Sequence, residues 1–434
     1  MTGTAHAGKT EAQILGAIGF LNEVMARYPQ AISFAPGAPL LNGVTRERLI
    51  AAVDEVADRS SGGAPGWDAL LQYGPSRGII NADLARALSA TGALAVNESD
   101  ITITVGAQEG FILVLRALGL HRSGTLGIVT PAFAGIRGAA TFMGARTADV
   151  LEGPEGVTAA DLEAACARAE ALGEPLRALY VAPDFANPSG TVIPRHARLE
   201  LLRTARERRV LLIEDTTYGF TDPDVPPSLK ALDENRVVIQ VGTFSKVCFP
   251  GARVGYVVAD QPWHGSTLAT WLATLKNTTT VNTSPLSQAM VAGLVLSDPA
   301  ALAERERVLA QSYRDKRNLL LSALDDEFAD ATELGLSWNR PTGGFFVVMQ
   351  TRRDLDHAAL QRCAAHHRVL WTPMRDFYAG HGGDQKLRLS CSHVASDQIR
   401  EGIRRLSGFL RERPETQANE HPTTAHLRLE TERP

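Results

Sequence analysis

TFSKVCFPGARVGYVVA, residues 243–259, places a single lysine, Lys246, just after a strand-like apolar run and behind two hydroxyl residues, Thr243 and Ser245. A second cation, Arg253, follows seven residues later, past a Pro-Gly turn. A lysine held in apolar surroundings near other cations has a depressed pKa and can form a Schiff base. Two hydroxyls and an arginine around it suit a phosphate. Taken alone, the stretch would also describe a surface lysine at a strand end, so the rest of the chain must decide.

Outward from this stretch, short apolar runs alternate with helical patterns from about residue 45 to 290. The runs are ITITV (101–105), TLGIVT (125–130), ALYVAP (178–183), VLLIED (210–215), VVIQVG (237–242) and VGYVVA (254–259). They are rich in β-branched residues and apolar on both faces. Buried, mostly parallel strands read this way, and the class is α/β. After about 300, helical segments at 301–327, 355–367 and 394–412 surround strand runs at 345–349, 369–373 and 387–391. Near the start, Ile14, Leu15, Ile18, Leu21, Val24 and Met25 recur at helical spacing. The expected organisation is an N-terminal arm and helix over 1–30, a large domain over 50–295 and a small α+β domain formed by 31–49 with 296–412. A polar tail, 413–434, is expected to be disordered, as are the first dozen residues.

The chain has 434 residues, a net charge of −4, 44% hydrophobic and 21% charged residues. This composition is that of a soluble globular protein. It excludes a disordered or collagen-like chain and a strongly basic nucleic-acid binder. No apolar run reaches transmembrane length, and the N-terminus lacks the apolar core of a secretory signal, so no membrane association is expected. Cys166, Cys248, Cys363 and Cys391 show no CxxC spacing. They suggest neither a zinc site nor a disulfide framework, and a reducing cytoplasm fits. His366 and His367, adjacent on a helix, face two directions and are not spaced for a metal, so they read as a solvated helix end. Trp371 reads as core.

Three further segments bear on Lys246. VGAQEG (105–110) ends a strand and opens a helix, so the N–H groups of Gly106, Ala107 and Gln108 can cradle an anion. APDFANPSGTVIP (182–194) puts Asn187 at the C-terminal edge of a strand, and IEDTTYGF (213–220) puts Asp215 and Tyr218 at the end of the next. An aspartate there can pair with a protonated ring nitrogen. Singly, these are an ordinary strand-to-helix turn, an Asn-Pro turn and a capping aspartate.

Jointly, in this order and spacing, they resemble the fold-type I pyridoxal-phosphate enzymes, in the class I/II aminotransferase group. The likeness runs from about residue 30 to 410. It is nearest to the branch of aminoadipate and kynurenine aminotransferases and of the aminotransferase-like half of certain bacterial regulators, for which ISFAPGAP (32–39) and LQYGPSRG (71–78) are typical. The resemblance implies a large domain with a mostly parallel sheet sandwiched by helices, a small α+β domain, and pyridoxal 5′-phosphate as cofactor. It implies that Lys246 forms the Schiff base and then shuttles the proton. Asp215 would keep the pyridinium nitrogen protonated, and Tyr218 and Asn187 would hydrogen-bond the ring oxygen. Phe133, in TPAFAG, matches the aromatic that stacks on the ring. Gly106, Ala107, Gln108, Thr243, Ser245 and Arg253 would hold the phosphate. Tyr73 matches a residue reaching the neighbouring subunit's cofactor, which implies a homodimer. Arg388, in KLRLSCS (386–392), matches the arginine that grips the substrate α-carboxylate, with Asn187 and Gly37 beside it.

The chain departs from the family pattern in two places. TPMRDFY (372–378) supplies Met374 and Arg375 where a glycine and a small residue are usual, and Pro36 stands where glycine is common. Both segments border the substrate side. Arg375 is therefore a candidate contact for an acidic or phosphate-bearing substrate, or an outward loop residue. The leading expectation is amino transfer between an L-amino acid and a 2-oxo acid. A second reading keeps the cofactor but ends in elimination, cyclisation or carbon–carbon bond formation, for example on S-adenosylmethionine. A third, a silent effector-sensing module, is disfavoured because about 30 residues precede ISFAPGAP and the catalytic set is complete.

Overall fold

The computed structural model describes residues 9–41, 43–59, 66–90, 94–298, 300–380 and 382–412. Of the first dozen residues expected to be loose, 1–8 lie outside the described residues, as does the tail 413–434, but Glu11 and Ala12 are helical, held by a cap at Thr10. A seven-stranded sheet forms the centre. Its strands are β1 (Ile101–Thr104), β2 (Thr125–Thr130), β3 (Arg146–Leu151), β4 (Leu176–Val181), β5 (Leu211–Asp215), β6 (Val238–Thr243) and β7 (Gly255–Val258). The spatial order is β1-β7-β6-β5-β4-β2-β3. Only β7 runs against the others, antiparallel to both β1 and β6. The inner strands are apolar on both faces because helices cover both sides, as a mostly parallel sheet requires. The strand β3 has no counterpart among the apolar runs of the sequence. It lies at the sheet edge, pairs only with β2, and is largely exposed, so its residues are mixed rather than apolar.

A second, four-stranded antiparallel sheet is built from β8 (Ser337–Trp338), β9 (Phe346–Gln350), β10 (Thr372–Pro373) and β11 (Lys386–Ser390), in the order β8-β9-β11-β10. The run 369–373, read as one strand, is interrupted at Trp371. Val369 and Leu370 instead pair in parallel with Ile32 and Ser33, and Trp371 is fully buried. Packing thus ties ISFAPGAP to the second sheet. The helix α1 (Glu11–Arg27) starts at a Thr10/Gln13 capping box. Its Val24 joins the core of the second sheet.

Two cores result, and one helix belongs to both. In α4 (Ala301–Glu327), Leu302, Leu309 and Tyr313 pack into a core on the large-sheet side, while Leu320, Ala323 and Leu324 pack into the core of the second sheet. The helices α2 (Gly106–Ala117) and α3 (Ala134–Phe142) follow β1 and β2. The 394–412 pattern appears as α5 (Ser396–Arg411). Among the described residues, no single helix is long and apolar enough to cross a membrane.

Candidate active site

A cleft opens at the C-terminal ends of β4, β5 and β6, beside the first turn of α2. Open α/β sheets place ligands at such strand ends. Its lining brings together Ala107, Gln108, Phe133, Asn187, Asp215, Tyr218, Thr243, Ser245, Lys246 and Arg253, residues picked from segments scattered along the chain.

At one end, β7 presses against the start of α2. A Cβ on Gly255 would lie 2.6 Å from the carbonyl carbon of Gly106, and one on Gly106 would lie 2.4 Å from Nη2 of Arg253. Gly106 also has a φ of +70°, a region L side chains rarely adopt. Glycine is needed at both places, and the close approach brings the Arg253 guanidinium against a helix N-terminus. Arg253 Nη1 donates to Ser245 Oγ at 3.3 Å, and the Ser245 N–H donates to Thr243 Oγ1 at 3.1 Å. Gln108 Nε2 donates to the Gly135 carbonyl at 2.8 Å, which ties the first turn of α2 to the turn after Phe133.

Elsewhere in the cleft, Asp215 is buried at the end of β5. Its Oδ1 accepts from Thr217 N at 3.1 Å and from the Thr217 hydroxyl, and its Oδ2 accepts from the Tyr180 hydroxyl at 2.8 Å. Burial raises the pKa of this carboxyl, and these donors together with Lys246 oppose the rise. Lys246 Nζ donates to the Gly37 carbonyl at 2.7 Å. Burial first, then the charges of Arg388 and Arg253, lower its pKa to about 8, against the pull of Asp215. A lysine so tuned has a substantial neutral fraction near neutral pH, which nucleophilic attack on a carbonyl requires.

Arg388, on β11, reaches across from the second sheet. Its Nη1 donates to Asn187 Oδ1 at 2.6 Å and its Nη2 to the Ala35 carbonyl at 2.7 Å. The guanidinium lies between two rings, 4.1 Å from Phe346 and 4.9 Å from Phe377. Its Nε is buried with no partner, and among the described residues no carboxylate pairs with it. Burial lowers its pKa to about 10, so it stays cationic at neutral pH.

Three predicted residues sit differently. Tyr73 is 86% exposed and lies outside the cleft of its own chain. Gly37 forms the wall facing Phe346, whose Cζ would lie 2.9 Å from an added Cβ. Arg375 does not line the cleft: it is half-exposed, and its Nη2 donates to Asp384 Oδ1 at 2.7 Å. The His366–His367 pair closes the helical segment from His357, with His367 Nε2 at 2.7 Å from Glu412. The cleft-lining residues that sequence reasoning missed are Phe111, Tyr180, Ala182 and Thr217. Tyr180 carries no motif and passes for a core strand residue.

The model of the family Aminotransferase class I and II matches residues 32–406. The chain belongs to this family. It is 38% identical over 413 residues to the (S)-3,5-dihydroxyphenylglycine transaminase of Amycolatopsis orientalis, covering 94% of each chain. It is 31% identical to the 2-aminoadipate transaminase of Thermus thermophilus, covering 89% of this chain and 92% of that one. The aminotransferase fold also matches solved structures. That of the α-aminoadipate aminotransferase of Thermus thermophilus, complexed with N-(5′-phosphopyridoxyl)-L-leucine, has a TM-score of 0.74 at 30% identity, covering 91% of this chain and 96% of that one. The Pyrococcus horikoshii kynurenine aminotransferase superposes with a TM-score of 0.78 at 25% identity, covering 90% and 93%. The protein is thus a pyridoxal-phosphate-dependent aminotransferase that moves an amino group between an amino acid and a 2-oxo acid. The donor set fits the cofactor: a helix N-terminus with an arginine and two hydroxyls for a phosphate, a buried carboxylate for a ring nitrogen, and a lysine of lowered pKa. The relatives named here are transaminases, which favours amino transfer over elimination, cyclisation or carbon–carbon bond formation.

Proposed function

We propose that this aminotransferase acts on L-α-amino acids with an apolar or aromatic side chain, in a homodimer with shared active sites. The observation that carries the substrate placement is Arg388, a buried cation with no carboxylate counter-ion among the described residues, held between two rings and bonded to Asn187. An α-carboxylate would complete it with a bidentate pair. Arg375, the candidate for a distal acidic group, is engaged with Asp384. The dihydroxyphenylglycine transaminase relative, by its name, acts on an aryl amino acid.

In this reading Lys246 carries the cofactor, and its freed amine then takes the proton from the substrate Cα. When bound, pyridoxal phosphate supplies the aldehyde that takes up the amino group and the ring that accepts the electrons of the broken C–H bond. Asp215 would face the ring nitrogen and favour its protonated form. Tyr218 and Asn187 would donate to the ring oxygen, and Phe133 would cover one face. Gly106, Ala107 and Gln108 offer N–H groups to the phosphate, with Thr243, Ser245 and Arg253. Gly37 and Phe346 narrow the substrate side. Tyr73, a large aromatic left 86% exposed beside exposed Leu71 and Trp67, is assigned to the partner's site. The four buried free cysteines fit a cytoplasmic location. The test is an absorbance screen of amino acids against wild type and Lys246→Ala. Wild type should convert aromatic donors fastest and Lys246→Ala should convert none. Preference for an acidic donor would overturn the substrate assignment.

A further inference from the structure

We propose that Tyr180 is a positioning residue that fixes the orientation and the charge of Asp215, resting on the assignment of Asp215 above. Tyr180 lies on β4 and pairs in register with Ile213 on β5. Asp215 is two residues further along β5, on the same face, the diagonal neighbour that a long side chain can reach. The Tyr180 hydroxyl donates to Asp215 Oδ2 at 2.8 Å, while both Thr217 donors go to Oδ1. The ring is 2% exposed and packs edge-on to Phe111, at 5.6 Å and 81°.

The terminal torsion of an aspartate is broad, so donors on one oxygen alone leave the group free to turn. Donors on both oxygens fix its plane. Without the Tyr180 hydroxyl, Oδ2 would lose its protein donor in a buried site, where an unpaired acceptor is costly. The titratable groups acting on this pair are Lys246, beside Asp215, and Tyr218, a neutral phenol, beside Tyr180. Burial and the Asp215 charge push the Tyr180 pKa well above that of an ordinary tyrosine. The phenol therefore keeps its proton and acts only as a donor.

Tyr180→Phe keeps the ring against Phe111 and removes only the hydroxyl. Two readouts are followed. The first is an infrared acid titration of the cofactor-free protein, with Asp215→Asn subtracting all other carboxyls. The second is the pH profile of kcat with the cofactor bound. The Asp215 carboxyl should titrate about one pH unit higher in Tyr180→Phe. The acid limb of kcat should move up by the same amount, and kcat should fall by about tenfold with KM little changed. Unchanged titration and limb, or a rate loss that only tracks loss of folded protein in thermal melts, would overturn the proposal. Lys246→Ala, run in parallel, keeps the two assignments apart. If it retains a borohydride-reducible cofactor link, the site assignment itself fails, whatever Tyr180→Phe shows.

Discussion

Arg388 and Asn187 join the two sheets of the molecule through one hydrogen bond, Nη1 to Oδ1 at 2.6 Å. Asn187 stands beyond the end of β4 in the large sheet, and Arg388 lies within β11 of the second. The same Arg388 bonds the Ala35 carbonyl in ISFAPGAP. The Thr372 hydroxyl on β10 also accepts from it, at 3.1 Å, so four separated stretches of the chain meet at one guanidinium, and a substrate carboxylate bound there would add a fourth bonded partner.

Replacing Arg388 by alanine should cost on the order of 2–5 kcal/mol in kcat/KM for any α-amino acid, because the carboxylate loses its partner in a desolvated site. Arg388→Lys should recover only part, since an ammonium lacks the planar fork. Steady-state kinetics on one aromatic donor checks both. A near-normal kcat/KM in Arg388→Ala would remove the carboxylate from this position.

The lowered pKa of Lys246 predicts how the cofactor-free protein captures pyridoxal phosphate. Only the neutral amine attacks the aldehyde, so the capture rate should rise with pH through about 8 and then level off. Stopped-flow absorbance over pH 6.5–9.5 would show the midpoint. A rate still climbing at the top of that range would mean an ordinary lysine.

Gly106→Ala forces a side chain into a φ of +70° and sets its Cβ 2.4 Å from Arg253 Nη2. The backbone strain alone is about 1–2 kcal/mol. Cofactor affinity should fall more than global stability does, because the displaced guanidinium belongs to the phosphate cradle. Paired thermal melts and cofactor titrations would compare the two losses.

Arg375→Ala breaks a half-exposed ion pair with Asp384. Such pairs contribute about 0–1 kcal/mol, so stability should barely change. Turnover of aromatic amino acids should match wild type. A selective loss on dicarboxylic substrates would instead place Arg375 at the substrate.

Tyr73→Phe should weaken cofactor retention by on the order of 1.5–3 kcal/mol if the hydroxyl reaches the partner's phosphate. Sedimentation should give a dimer or a dimer of dimers. A fully active monomer would defeat the shared-site assignment.

What was legible in the chain was whatever chemistry marks with unusual residues at fixed offsets. Lys246, Asp215, Asn187 and Arg253 sit at or just beyond the ends of strands, Asn187 directly before a proline, and the fold gathers them. The inner strands announced themselves because both faces are buried. The strand Arg146–Leu151 did not, since an edge strand faces water and needs no apolar pattern. Tyr180 was hidden for the opposite reason: its surroundings are so apolar that a tyrosine there looks like packing. Its hydroxyl matters only because β4 and β5 are neighbours, which local pattern does not encode. The engagement of Arg375 by Asp384, nine residues on, likewise depends on how a loop folds back.

The helix Ala301–Glu327 contributes side chains to both cores along a rod of about 40 Å. A shared rod makes the halves mechanically inseparable. Fraying either core strips one end of the helix of its burial, and a helix without a packed face is marginal in water. Loosening of one half is therefore transmitted to the other through a single element. Protection of the amides around Tyr313 and Leu320 against solvent exchange should vanish in one step rather than two.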